Sequence, residues 1–354
     1  MNDRENYLRT AQFRHPQWIP ASVVLYPELE RKHSKQLEKK YPPELFRYHH
    51  SFDCDETPLP GYRKGVDVTD SWGCVWRNTL DGVMGQVVGH PLADWSALQS
   101  YEPPDLLQEL DFGLREDWER VQQRLATNRQ NGKVTIGGVG HGFLLMRLFY
   151  LRGYENLMID LIEEPPELDE LIQIVVDRNM ALVRKWLELS VDVVGFGEDL
   201  GSQNRLLLTP KYFRRYIKPC YRKLFGAVRE AGIDVYFHSD GYLLEILDDL
   251  NDCGVTILNP QVNLDPELKV NGLENIIEKC KGKVCVDLDF DRQIFPFCTP
   301  DKIHRDVREV VTRLGSPEGG LMLHAACLPG VPLENIEAIC EAILEYRFYY
   351  SHID

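Results

Sequence analysis

The chain has no apolar run of about 18 residues, the length a membrane-crossing helix requires, so no membrane span is expected. Its opening stretch, MNDRENYLRTAQFRHPQW, is charged throughout and lacks the apolar core of a signal peptide, which makes the cytoplasm the expected location. Positive charge is in deficit: 40 Lys and Arg against 55 Asp and Glu give a net charge of −15. A nucleic-acid partner, which needs a basic surface, is disfavoured, and a polyanionic small molecule would need a local arginine cluster. The nine cysteines contain no CxxC pair and no regular spacing, which argues against a disulfide framework and a zinc ribbon. No Gly-x-Gly-x-x-Gly follows the first strands, and GGVGHG at 137–142 fits neither that fingerprint nor a phosphate-binding loop. There is no Ser/Gly-rich linker or short repeat, so residues 1–354 read as one domain.

What the chain does have, from about residue 130, is an alternation of short apolar runs and longer amphipathic segments. The runs KVTIGGVG (133–140), VDVVGFGED (191–199), IDVYFHSDG (233–241), VTILNP (255–260), KVCVDLDFD (283–291) and GLMLHAAC (320–327) show little polar alternation, as expected of strands buried on both faces of a parallel sheet. Between them, residues 209–232 and 299–315 each open with Thr-Pro and stop at glycine, and residues 331–348 form the last helical pattern. Repeated strand–helix units imply right-handed crossovers. Of the two closures open to them, the absence of a dinucleotide fingerprint favours a (β/α)8 TIM barrel over a doubly wound sheet, with WIPASVVLYP (18–27) as first strand. Residues 28–110 are then an N-terminal excursion and candidate lid. It contains a β-hairpin turning at Leu80–Gly82, with Trp72, Trp76 and Val87 on its packing face.

The polar residues fall at strand ends. VDVVGFGED ends in Glu198 and Asp199, VYFHSDG in His238 and Asp240, and LMLHAAC in Cys327, while VCVDLDFD carries Asp287, Asp289 and Asp291. In a parallel barrel those ends converge on one face, where the chemistry sits. Imidazole, carboxylate and thiolate are all zinc ligands, and a catalytic zinc takes three protein ligands and leaves one position open. His238, Asp240 and Cys327 are thus a candidate metal set, with Glu198, Asp199 and Asp240 as candidate catalytic carboxylates. The bland alternatives are a strand-end turn at Asp240-Gly241, a buried structural thiol at Cys327, and helix capping by Glu198 and Asp199.

Four stretches, residues 153–179, 191–225, 235–261 and 319–343, together with 70–98, resemble the uroporphyrinogen decarboxylase superfamily, and in particular its corrinoid-dependent methyltransferase branch. The resemblance implies a (β/α)8 barrel with its site at the C-terminal mouth. Decarboxylases of the family carry an Arg-Gln-Ala-Gly-Arg motif near the N-terminus; here the region reads HPQWIPASVVLYPELERKH, and the motif is absent. The methyltransferase branch holds zinc through His-x-Cys and a later Cys, which matches His238 and Cys327 but puts Asp240 where a thiolate is expected. The third ligand is then Asp240, or Glu198 or Asp199 in its place, or zinc is absent and these groups do acid–base work.

The resemblance implies a zinc-dependent methyltransferase that moves a methyl group between a small methylated substrate, or a thiol or other acceptor, and a corrinoid. No Asp-x-His-x-x-Gly occurs, so the corrinoid (a cobalamin-type cofactor) would arrive on a partner protein. Gln203 and Asn204 are placed to bind the small substrate. The alternatives are a metal-free decarboxylase-like lyase and a non-catalytic member of the family.

Overall fold

The computed structural model describes residues 1–48, 60–81, 84–109, 116–264 and 270–351. In chain order its strands are β1 (Ala21–Leu25), β2 (Phe46–Tyr48), β3 (Asp67–Thr69), β4 (Val75–Arg77), β5 (Gln86–Gly89), β6 (Ile136–His141), β7 (Val193–Asp199), β8 (Asp234–Asp240), β9 (Ile257–Val262), β10 (Cys285–Phe290) and β11 (Leu321–Cys327). Eight of them form one curled parallel sheet in the order β2-β1-β11-β10-β9-β8-β7-β6, while β3, β4 and β5 form a small antiparallel sheet. With helices following the strands, this is the expected (β/α)8 barrel. Its two sheet edges, β2 and β6, are not hydrogen-bonded to each other among the described residues.

The excursion at 28–110 is more ordered than expected. It begins with a helix, Pro27–Lys40, and includes β2, the second barrel strand, whose three residues are too few to show a period. The hairpin gains a third strand, β3, and Trp72 and Trp76 are buried while Val87 packs on the core. The expected turn at Leu80–Gly82 runs into residues outside the described set. The Thr-Pro starts behave differently. Thr299 caps its helix, accepting from the Lys302 N–H at 3.3 Å, whereas the Thr209 side chain makes no capping bond. The segment after Thr209 passes through a π-helical turn at Phe213–Ile217, just before Pro219, which has no N–H to donate.

Side chains alternate across each barrel strand. One set (Val194, Phe196, Val235, Phe237, Leu258, Leu323, Cys327) joins the core between sheet and helices. There Phe143, Phe196, Tyr221, Phe225 and Phe237 pack ring on ring, with centroids 4.7 Å apart for Phe196 and Phe225 and 5.5 Å for Tyr221 and Phe237. Each such ring is worth roughly 1.5–3 kcal/mol in burial alone, so β7 and β8 are firmly seated. The other set points inward. At the N-terminal end of the barrel Val193, Ile257, Cys285 and Met322 meet Tyr7 and Ala11 of the first helix, Asp3–Ala11, which plugs the bottom.

On β6 and β7 the inward positions between floor and mouth include the glycines Gly138, Gly195 and Gly197. A Cβ at Gly137 would strike the Trp186 ring at 2.3 Å on the helix side. At its neighbour Gly138, paired with Gly195, a Cβ would meet no heavy atom within 4 Å. At Gly197 it would touch the His141 ring at 3.1 Å.

Candidate metal centre

Three strands deliver one inward side chain each to the mouth: His141 ends β6, Asp199 ends β7 and His238 lies two residues before the end of β8. The register sets Gly197 beside both His141 and His238, and Asp199 beside Asp240. One ligand atom from each of His141, Asp199 and His238 lies within 4.8 Å of the others. His141 Nε2 and Asp199 Oδ1 are 3.2 Å apart, and the two imidazole rings are 5.9 Å apart between centroids.

His238 is fixed from behind. Asn259 Nδ2 donates to the Asp287 main-chain carbonyl at 2.6 Å, which leaves its Oδ1 facing His238 Nδ1 at 2.7 Å. An amide oxygen only accepts, so Nδ1 carries the hydrogen and Nε2, on the Asp240 side, keeps its lone pair. Burial also pushes the His238 pKa down, outweighing the attraction of Asp240, and this favours the neutral form a metal needs. At His141 burial pulls the pKa down, but the hydrogen bond and charge of Asp199 win and the net shift is upward. Burial works against ionisation of Asp199, yet its His141 hydrogen bond holds its pKa below the usual value. Two imidazoles and a carboxylate whose ligand atoms converge in this way are a donor set that fits a zinc ion.

Asp240 adjoins the cluster, its Oδ1 3.7 Å from His238 Nε2, but its other oxygen pairs with Arg292 Nη2. That Oδ1 is buried with no hydrogen-bond partner. Cys327 is not brought to the cluster. It follows Leu323 and Ala325 on the face of β11 that meets the helices, beside Cys340, while His324 and Met322 hold the inward face. Burial drives the Cys327 thiol far above its ordinary pKa, which leaves it a protonated core thiol.

Glu198 faces the same helical layer. It accepts from Tyr221 Oη at 2.9 Å and from the Leu144 N–H at the start of helix Leu145–Arg152, so it caps that helix and does not reach the mouth. Gln203 and Asn204 line a cavity of about 530 Å³ beside Asp240, together with Gln261, Asn263, Asp291, Arg292 and Gln293. Asp287, Asp289 and Asp291 all lie on the inward side. Asp289 is fully buried 3.9 Å from Arg292, and burial raises its pKa well above the carboxylate range.

The residues missed by the sequence reading are His141, Asn259 and Arg292. The apolar run KVTIGGVG ends at Gly140, which leaves His141 one residue outside the strand-end pattern. Asn259 sat unnoticed within VTILNP.

The aligned part of a curated uroporphyrinogen decarboxylase from Thermus thermophilus is 26% identical over 139 residues, 39% of this chain and 38% of that protein. A solved methyltransferase from Methanosarcina mazei superposes with a TM-score of 0.62 at 18% identity, covering 98% of this chain and 99% of that one, a likeness of fold. The sequence signature of uroporphyrinogen decarboxylase (URO-D) matches residues 81–346, a span that holds β6 to β11 and every side chain of the mouth cluster. The chain belongs to the uroporphyrinogen decarboxylase family.

Proposed function

We propose that the protein is a zinc-dependent methyltransferase that exchanges a methyl group between a small substrate and a corrinoid carried by a separate protein. The observation that carries the reading is the convergence of His141, Asp199 and His238, with Asn259 holding the His238 lone pair toward the other two. Bound zinc would act as a Lewis acid on a thiol, or on the heteroatom of a methylated substrate, and so tune its reactivity.

The chain's own residues do the rest. His238 and His141 would hold the ion through Nε2 and Asp199 through an oxygen, with the proton between His141 and Asp199 released to solvent on binding. Asp240 stands beside His238 with one oxygen free to accept a hydrogen bond. Gln203 and Asn204, in the adjoining cavity, would orient the substrate. A decarboxylase acting on a polycarboxylate would need cations, and Arg292 is the one cation among the described residues lining that cavity.

Elemental analysis of the purified protein tests the reading. The expected result is about one zinc per chain, lost in His238→Ala, His141→Ala and Asp199→Asn but kept in Cys327→Ala, whose cost is confined to stability, on the order of 1 kcal/mol. Two histidines and a carboxylate also serve ferrous iron, so iron is measured alongside. Iron in place of zinc, or a folded protein that takes up neither metal, would overturn the proposal.

A further inference from the structure

The cavity beside the metal cluster carries a charge pattern that selects a substrate. Its cation is already spent: Arg292 pairs with Asp240 through Nη2 and lies 3.9 Å from Asp289 through Nη1. The other carboxylate of the lining, Asp291, accepts from Asn263 Nδ2 at 2.7 Å and from the Gln293 N–H at 2.9 Å. An incoming anion therefore meets no uncommitted positive charge among the described lining residues, and it approaches two carboxylates. What remains free is hydrogen-bonding capacity. The side-chain amides of Gln203, Asn204, Gln261 and Gln293 reach the cavity without a protein partner among the described residues. Asp240 Oδ1, between cavity and His238, is buried and lacks a donor. A buried carboxylate oxygen left unpaired is costly, and a hydrogen-bond donor entering from the cavity relieves it.

Resting on the methyltransferase reading, we infer that the small substrate places an O–H or N–H donor on Asp240 beside its reacting heteroatom, and that a substrate carrying a further anionic group, away from that heteroatom, is excluded. The amides then bind the rest of a polar, uncharged skeleton, since each offers both donor and acceptor.

Three thiols of matched length test this: 2-mercaptoethanol, cysteamine and 2-mercaptoethanesulfonate, which differ at neutral pH in carrying no charge, a positive charge and a negative charge. Binding is ranked by ligand-observed saturation-transfer NMR on the full chain, both zinc-loaded and metal-free. A chain that takes no zinc ends the methyltransferase reading, yet still yields the charge ranking from its metal-free form. The expected result is that the sulfonate binds at least about tenfold more weakly than the other two. Asp240→Asn, which releases Arg292, should narrow that gap. Sulfonate binding as tight as the neutral thiol in the wild-type chain would overturn the inference. So would a gap that survives unchanged in Asp240→Asn.

Discussion

Glu198 shows how much depends on which way one side chain faces. It is fully buried, and burial lifts its pKa to about 7 against the pull of the Leu144 N–H and the Tyr221 hydroxyl. A carboxyl that holds its proton more tightly folded than unfolded contributes stability in full below its unfolded value of 4.5, and loses it as pH rises through about 7. Glu198→Gln should therefore remove a decline of about 3 kcal/mol across that window, read by chemical denaturation at several pH values; an unaltered pH slope would show that this carboxyl does not cause it. Neighbouring residues explain why the site was only half legible. Adjacent positions on a strand face opposite ways, so the pair Glu198–Asp199 could contribute only one member to the mouth. His238 and Asp199 were readable as strand-end polar residues. Cys327 was misplaced for want of register, because a one-residue step moves a side chain to the other face. His141 was missed because its strand runs one residue further than its apolar run suggests.

At the scale of elements, two loops meet closely at the mouth. Gly241, directly after β8, has φ +81°, and a Cβ there would lie 2.0 Å from the Gly201 carbonyl oxygen; a Cβ at Gly201 would lie 2.3 Å from the Tyr242 carbonyl oxygen. No side chain fits between these backbones. Gly241→Ala should cost at least about 2 kcal/mol and should weaken zinc binding, since the residue adjoins Asp240. Thermal melting with a zinc titration reads both effects, and an unchanged melting point would refute the close approach. The long strands and the 299–315 helix were legible because apolar runs and a Thr-Pro start leave local signals. β2 was not, since three residues carry no period and only pairing with β1 defines it. The π-helical turn before Pro219 was equally hidden, because the helical pattern runs through it unbroken.

For the whole molecule, the barrel could be inferred from the strand–helix alternation, but its plug could not. Nothing in DRENYLRTA announces that Tyr7 and Ala11 will seal the barrel floor against Val193, Ile257, Cys285 and Met322. Tyr7→Ala should cost about 3–5 kcal/mol and should open the floor to solvent. The Cys285 thiol, fully buried and held far above its ordinary pKa by that burial, should then react with a thiol reagent under native conditions. Peptide mapping after labelling checks this, and a Cys285 still protected in the folded variant would assign the seal to other residues. The glycine-lined inner wall of β6 and β7 has a different consequence. Gly138 needs no unusual backbone angle and has free space where a side chain would be. It is thus a position at which a methyl group can narrow the bore of the barrel without moving the backbone, a gauge for the size of molecule that reaches His141.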